Sequence, residues 1–129
     1  MSLRSPLGRV LGLGSARGGS GHWFSQRITA VALVILGLWF VASLAMLGAG
    51  ASHASVTHWL ASPFSVAMAL LLVIVSAYHA LLGLQVVVED YIAEKGTRLV
   101  VLVAIKFALA VSTLIGVLAV LRLGFGAQP

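Results

Sequence analysis

Tyr78-His79-Ala80-Leu81-Leu82-Gly83-Leu84-Gln85-Val86-Val87-Val88-Glu89-Asp90-Tyr91 decides how the rest of the chain is read. An imidazole deep in an apolar run is followed, at helical spacing, by carboxylates and a phenol. Asp90 comes eleven residues after His79. At about 100° per residue the two positions return to within roughly 20° of each other, about 16 Å apart along the axis. One helix face therefore carries both, with Gly83 and Val86 or Val87 between them. His79 falls near the middle of an uncharged segment that ends at Asp90 and Tyr91. The pattern is that of a helix with one polar group in an apolar solvent and a polar pair at the boundary.

Composition identifies that solvent. Of the 129 residues, 60% are hydrophobic and 9% charged, and the mean hydropathy is +1.11, outside the balance of a soluble globular domain. So short a chain cannot hide this much apolar surface in its own core, so the bilayer must surround it. The chain has no cysteine, which excludes disulfides, thiolate zinc sites and cysteine-ligated iron-sulfur clusters within it. The formal charge is +5, yet no run of Lys or Arg occurs. The basic residues border apolar stretches, which points to orientation in a membrane and not to nucleic acid.

Three spans emerge on either side of the opening stretch. Residues 1–26 are polar, Gly-rich and basic, with Arg4, Arg9 and Arg17. Gly12, Gly14, Gly18, Gly19 and Gly21 match no phosphate-binding loop and read as a tail. The first apolar run starts only after Arg27, too late for an ordinary signal peptide, and the small residues Ala49-Gly50-Ala51 do not make a convincing cleavage site after so long a core. The expected membrane domain covers residues 27–125, with spans at about 28–50, 64–88 and 99–121, each able to cross a hydrocarbon layer about 30 Å thick. Residues 126–129 form a short tail. The first connection holds His53 and His58, expected as solvated loop residues, and Trp59, expected as an interfacial anchor. The second is a short polar link with Glu89, Asp90, Glu94, Lys95, Gly96 and Arg98. Lys106 lies inside the third span and is expected to snorkel to the nearer interface. No internal repeat relates the spans. The fold class is an all-α membrane protein of three transmembrane helices, part of a larger helix bundle.

Basic residues orient it. Arg4, Arg9, Arg17 and Arg27 precede the first span, Lys95 and Arg98 follow the second, the first connection has none, and Arg122 stands alone near the C-terminus. The positive-inside rule then puts the N-terminus and the Glu89–Arg98 link in the cytoplasm, or the matrix of an organelle, and the C-terminus outside.

A neutral imidazole in hydrocarbon must satisfy its ring N–H, and an ionisable residue within a membrane is a candidate functional group. Three roles stay open for His79: a hydrogen bond across a helix interface, a proton relay, or ligation of a metal, for which haem iron is the natural candidate. Gly83, one turn on, leaves room for a flat macrocycle or for ordinary close helix packing. A second axial side chain at comparable depth is missing, so a partner subunit or a second copy would have to supply it. Asp90 and Tyr91 read either as a polar helix end with an interfacial aromatic, or as a carboxylate and phenol placed for a ligand carbonyl. Arg27 reads as a topological anchor or as a clamp for an anion.

His79, Gly83, Gln85 and Glu89-Asp90-Tyr91, together with Gln26-Arg27-Ile28-Thr29-Ala30 upstream, resemble the smaller hydrophobic membrane anchor of succinate dehydrogenase in its alphaproteobacterial form. The likeness extends over nearly the whole chain: basic tail, Gln-Arg-x-Thr-Ala, three spans, and the His-to-Asp-Tyr spacing. It implies that His79 is an axial ligand of haem b, shared with a histidine of a second, cytochrome b-type anchor. It implies further that Tyr91 hydrogen-bonds ubiquinone with Asp90 in support, and that Arg27 lies near the haem propionates and the quinone pocket. An iron-sulfur subunit and a flavoprotein subunit would complete the complex, in a bacterial inner membrane. A fumarate reductase anchor is the nearest rival. A non-redox assembly or transport subunit, in which His79 only bridges helices, is the alternative of a different class.

Overall fold

The computed structural model describes residues 19–126. Helix α1 runs Gly19–Leu47, α2 His53–Leu60, α3 Pro63–Tyr91 and α4 Lys95–Phe125. The three long helices each exceed the ~20 residues needed to cross a bilayer, and their apolar windows make all three membrane spans. Within hydrocarbon only a helix or a closed barrel satisfies its own backbone, and the described residues contain no strand.

Helix α3 is the middle of the assembly. It packs along α1 on one side and α4 on the other, while the short α2 rests against α3 and α4. Two glycines let α4 approach α3 closely. A Cβ at Gly116 would stand 3.0 Å from Val73 Cγ1, and one at Gly124 would run into the Val66 side chain, with the Leu60 carbonyl 3.3 Å away. Gly48, with φ +80, takes the left-handed conformation that ends α1, its N–H returning to the Leu44 carbonyl at 3.1 Å. At the same end of the bundle Trp39 stacks on Trp59 with centroids 5.6 Å apart and meets Phe64 edge-on at 6.2 Å, so one aromatic cluster ties α1, α2 and α3 together. Trp59, expected as an interfacial anchor, is part of this cluster.

The helices outrun the apolar stretches that announced them. Residues 19–26, expected as polar tail, are the first turns of α1, because no proline interrupts Gly19–Gln26 and Gln26 packs on α3. Arg4, Arg9, Arg17, Gly12, Gly14 and Gly18 lie outside the described residues, as do residues 127–129. The first connection is not a plain loop. Ser52 caps α2 by accepting the Ser55 N–H at 3.2 Å, which puts His53 and His58 on a helix. The second link shrinks to residues 92–94. Glu89, Asp90 and Tyr91 form the last turn of α3, and Lys95, Gly96 and Arg98 belong to the first turn of α4.

Little of the chain is enclosed by itself. Among the described residues the buried apolar ones are Leu36, Leu60, Val66, Ala69, Leu82 and Val88, whereas Val31, Leu38, Phe107 and Leu114 are more than half exposed. In water such a surface would aggregate; here it faces lipid or neighbouring subunits.

Candidate functional site

His79 does not stand alone in the apolar interior. The α1–α3 contact sets Thr29 opposite it, with Thr29 Oγ1 2.8 Å from His79 Nδ1. Thr29 is buried, and its hydroxyl also lies 2.8 Å from the Ser25 carbonyl and 3.1 Å from that of Gln26. A hydroxyl has one proton and two lone pairs. With the proton given to a carbonyl of its own helix, Oγ1 accepts from the ring. That count assigns the imidazole proton to Nδ1 and leaves the Nε2 lone pair free. The Gln26 carboxamide agrees, since its Nε2 approaches His79 Nε2 at 3.4 Å, a long contact with the amide as donor.

Gln26 lies across Gly83: a Cβ there would be 3.6 Å from the Gln26 amide nitrogen. The space that Gly83 leaves is thus partly filled by a flexible polar side chain. One turn earlier on α1, His22 continues the stripe. His22 Nε2 and Gln26 Oε1 are both enclosed with no hydrogen-bond partner among the described residues, and unpaired buried polar atoms at one spot mark a place where another group belongs. Thr29 and Gln26 appear in the sequence only as parts of a short motif. The spacing His22, Gln26, Thr29, at i, i+4 and i+7, is the signal that would have put all three on one face.

The other sequence candidates lie elsewhere. Asp90 and Tyr91 are in the last turn of α3 and exposed, Tyr91 at 86%. Three turns of helix, about 18 Å, separate Tyr91 from His79, and neither Tyr91 nor Asp90 meets the His79 cluster. Glu89 beside them accepts a hydrogen bond from Gln85 at 2.8 Å. The turn that follows is pinned. Glu94 caps α4 by accepting the Gly96 N–H at 2.7 Å and the Thr97 N–H, while Arg98 donates to the Ile92 carbonyl at 2.8 Å and the Ala93 carbonyl at 3.3 Å. Hydrogen bonds from the Thr97 side chain first, then from the Thr97 and Gly96 N–H groups, hold the Glu94 carboxyl down to about 2.

Arg27 is exposed on α1 with its guanidinium 5.5 Å from the Trp23 ring centroid, a cation–π contact. The antiparallel register fixes its depth. Because Thr29 faces His79 and Gln26 faces Gly83, Arg27 lies within about 3 Å of the level of His79 and about 15 Å from that of Tyr91. The sequence had put Arg27 on the membrane face of Asp90 and Tyr91, at the entry to the first span. The register adds its depth, which follows from α1 beginning well before the apolar run.

These features define a class: a helical membrane protein of three spans, with one imidazole held by its Nδ1 between two of them and a polar helix end at one membrane face. The chain belongs to the family of succinate dehydrogenase/fumarate reductase transmembrane subunits, whose family model matches residues 1–115. It is 39% identical over 104 residues to the succinate dehydrogenase hydrophobic membrane anchor subunit of Rickettsia bellii, covering 80% of this chain and 82% of that protein. The protein of the same description from Rickettsia conorii is 34% identical over 94 residues, 72% of this chain and 74% of its own. That from Paracoccus denitrificans is 30% identical over 123 residues, 95% and 94% of the two chains. The resemblance read from the sequence therefore stands, and the chain is a multi-pass membrane anchor of the succinate dehydrogenase type.

Proposed function

We propose that this anchor joins a second, cytochrome b-type anchor to hold haem b and to form a ubiquinone site. Electrons would reach that site from an iron-sulfur subunit, itself fed by a flavoprotein subunit that oxidises succinate. The observation that carries the reading is the His79 cluster. A ligating imidazole needs its non-ligating nitrogen held by a hydrogen bond, and Thr29 holds Nδ1 at 2.8 Å, leaving Nε2 as the donor atom for iron. The donor set fits haem on this side, with the Gln26 carboxamide, at 3.4 Å, the one group that must give way. The other anchor would have to supply a further side chain to the iron. Haem b, when bound, supplies a one-electron store within the membrane.

The remaining residues divide the work by position. Arg27, at the depth of His79, offers a cation to a propionate. Tyr91, exposed at the end of α3, donates its phenolic hydrogen to a quinone carbonyl, and Asp90 next to it supports proton delivery at the aqueous boundary. Reducing a quinone takes two electrons and two protons, so a site where the spans meet water suits the chemistry. The positive-inside rule supports placing that face in the bacterial cytoplasm, with the C-terminus in the periplasm of an inner-membrane protein.

The test is a reduced-minus-oxidised optical spectrum of the complex purified through this chain, beside His79→Ala and Tyr91→Phe. A b-type band that is lost or shifted in His79→Ala supports ligation. Tyr91→Phe is expected to keep the band and slow quinone reduction. If the band is absent and succinate:quinone activity present, His79 is a structural bridge only; if both are absent, the redox reading fails and the assembly or transport alternative takes its place.

A further inference from the structure

The side of α3 that faces away from α1 carries a second feature with no part in the proposed site. Between α3 and α4 runs an open groove of about 470 Å³, lined among others by Ile74, Tyr78, Leu81, Lys106, Ala110 and Val117. It is apolar apart from Lys106 near one end, the Tyr78 phenol and the Thr113 hydroxyl. Thr113 is satisfied by the Leu109 carbonyl of its own helix at 2.6 Å. Among the described residues no carboxylate pairs with Lys106. The three acidic residues are Glu89, Asp90 and Glu94, of which Glu89 pairs with Gln85 and Glu94 caps α4, and none of the three lines the groove.

We infer that this groove binds one anionic phospholipid, its phosphate on Lys106 and an acyl chain laid along α3 and α4 toward the bilayer centre. Three observations support this occupant. Lys106 stands at the end of the groove nearer the polar link, so its four-carbon stem extends toward the headgroup layer while the rest of the groove runs into hydrocarbon. From Lys106 to Val117 the groove spans eleven residues of α4, about 16 Å, the reach of much of an acyl chain. Among the described residues Lys106 is the one charged residue lining the groove, so a headgroup phosphate there gives that cation its counter-charge, as in basic pockets between spans that hold acidic headgroups. A zwitterionic lipid would satisfy the groove but add a second cation beside Lys106.

The intact complex, delipidated in mild detergent and titrated with phosphatidylglycerol or phosphatidylcholine, reports retained lipid by native mass spectrometry. Lys106→Gln removes the cation, Ala110→Leu fills the groove and keeps it, and Lys106→Arg preserves the charge. Phosphatidylglycerol retention is expected to fall about fivefold or more in Lys106→Gln and to fall in Ala110→Leu. It is expected to persist in Lys106→Arg, with phosphatidylcholine weak throughout. Equal retention of phosphatidylglycerol in the unaltered complex and in both Lys106→Gln and Ala110→Leu overturns the inference. So does carbodiimide cross-linking of Lys106 to a carboxylate of another subunit, which would show the groove to be a protein interface. Because subunit composition of each variant is read in the same spectra, a variant that fails to assemble is recognised, and the remaining two decide.

Discussion

Thr29 Oγ1 and His79 Nδ1 lie 2.8 Å apart across the α1–α3 interface, and that pair fixes which nitrogen of the imidazole is available for other work. Thr29→Val keeps the shape and removes the acceptor, leaving a ring N–H unpaired in the interface at a cost of about 1–3 kcal/mol. The expected result is a lower melting temperature of the complex, with Thr29→Ser close to the unaltered protein. In the haem-loaded complex the same change is expected to raise the midpoint potential, because an acceptor on Nδ1 makes the ligand more basic and favours ferric iron. A redox titration followed at the b-type band measures it; no change in either quantity would remove Thr29 from the site.

Gly124 is one of two glycines at which α4 lies tight against α3. Adding a methyl there drives it into Val66, which is 4% exposed and, being β-branched, has little rotamer freedom to yield. Gly124→Ala is therefore expected to destabilise the bundle by about 1–3 kcal/mol, seen as earlier unfolding in detergent. Val66→Ala should restore much of the loss when combined with it, as a double-mutant cycle would show. Gly116→Ala, facing Val73 Cγ1 at 3.0 Å, should cost less.

Glu94 has a carboxyl lowered to about 2 by the Thr97 hydroxyl and the Thr97 and Gly96 N–H groups. A group whose folded pKa is depressed stabilises the fold above its unfolded pKa and ceases to as pH falls through the folded one. The α4 cap should thus be fully formed above about 4.5 and lost as pH approaches about 2. Amide hydrogen exchange at Gly96 and Thr97 is the readout. Exchange corrected for its intrinsic pH dependence should rise as pH falls through that window and be independent of pH in Glu94→Ala.

Much of this architecture was legible in the residues. The apolar stretches of more than 20 residues, the third interrupted only by Lys106, required three spans, and His79 required a partner, because both follow from the cost of polar groups in hydrocarbon. Where the helices end was less legible. Hydropathy registers where charge begins, whereas a helix continues until something breaks it or water replaces its hydrogen bonds; hence α1 starts at Gly19, α3 reaches Tyr91, and α2 forms within a connection expected as loop. The small hydrogen-bonding network at Glu94 and Arg98 was equally hidden, since capping depends on backbone geometry at a three-residue link.

The likeness of the linear motifs and the three-span order was set by the sequence alone, since each rests on local spacing and on the affinity of side chains for water or lipid. Only the tertiary structure decided that Thr29 and Gln26 answer His79, that Arg27 lies at its depth and about 15 Å from the level of Tyr91, and that α3 separates the imidazole cluster from the Lys106 groove. These are relations between helices. They depend on the antiparallel register of α1, α3 and α4, which close contacts at Thr29, Gly116 and Gly124 select and which no spacing within one helix encodes.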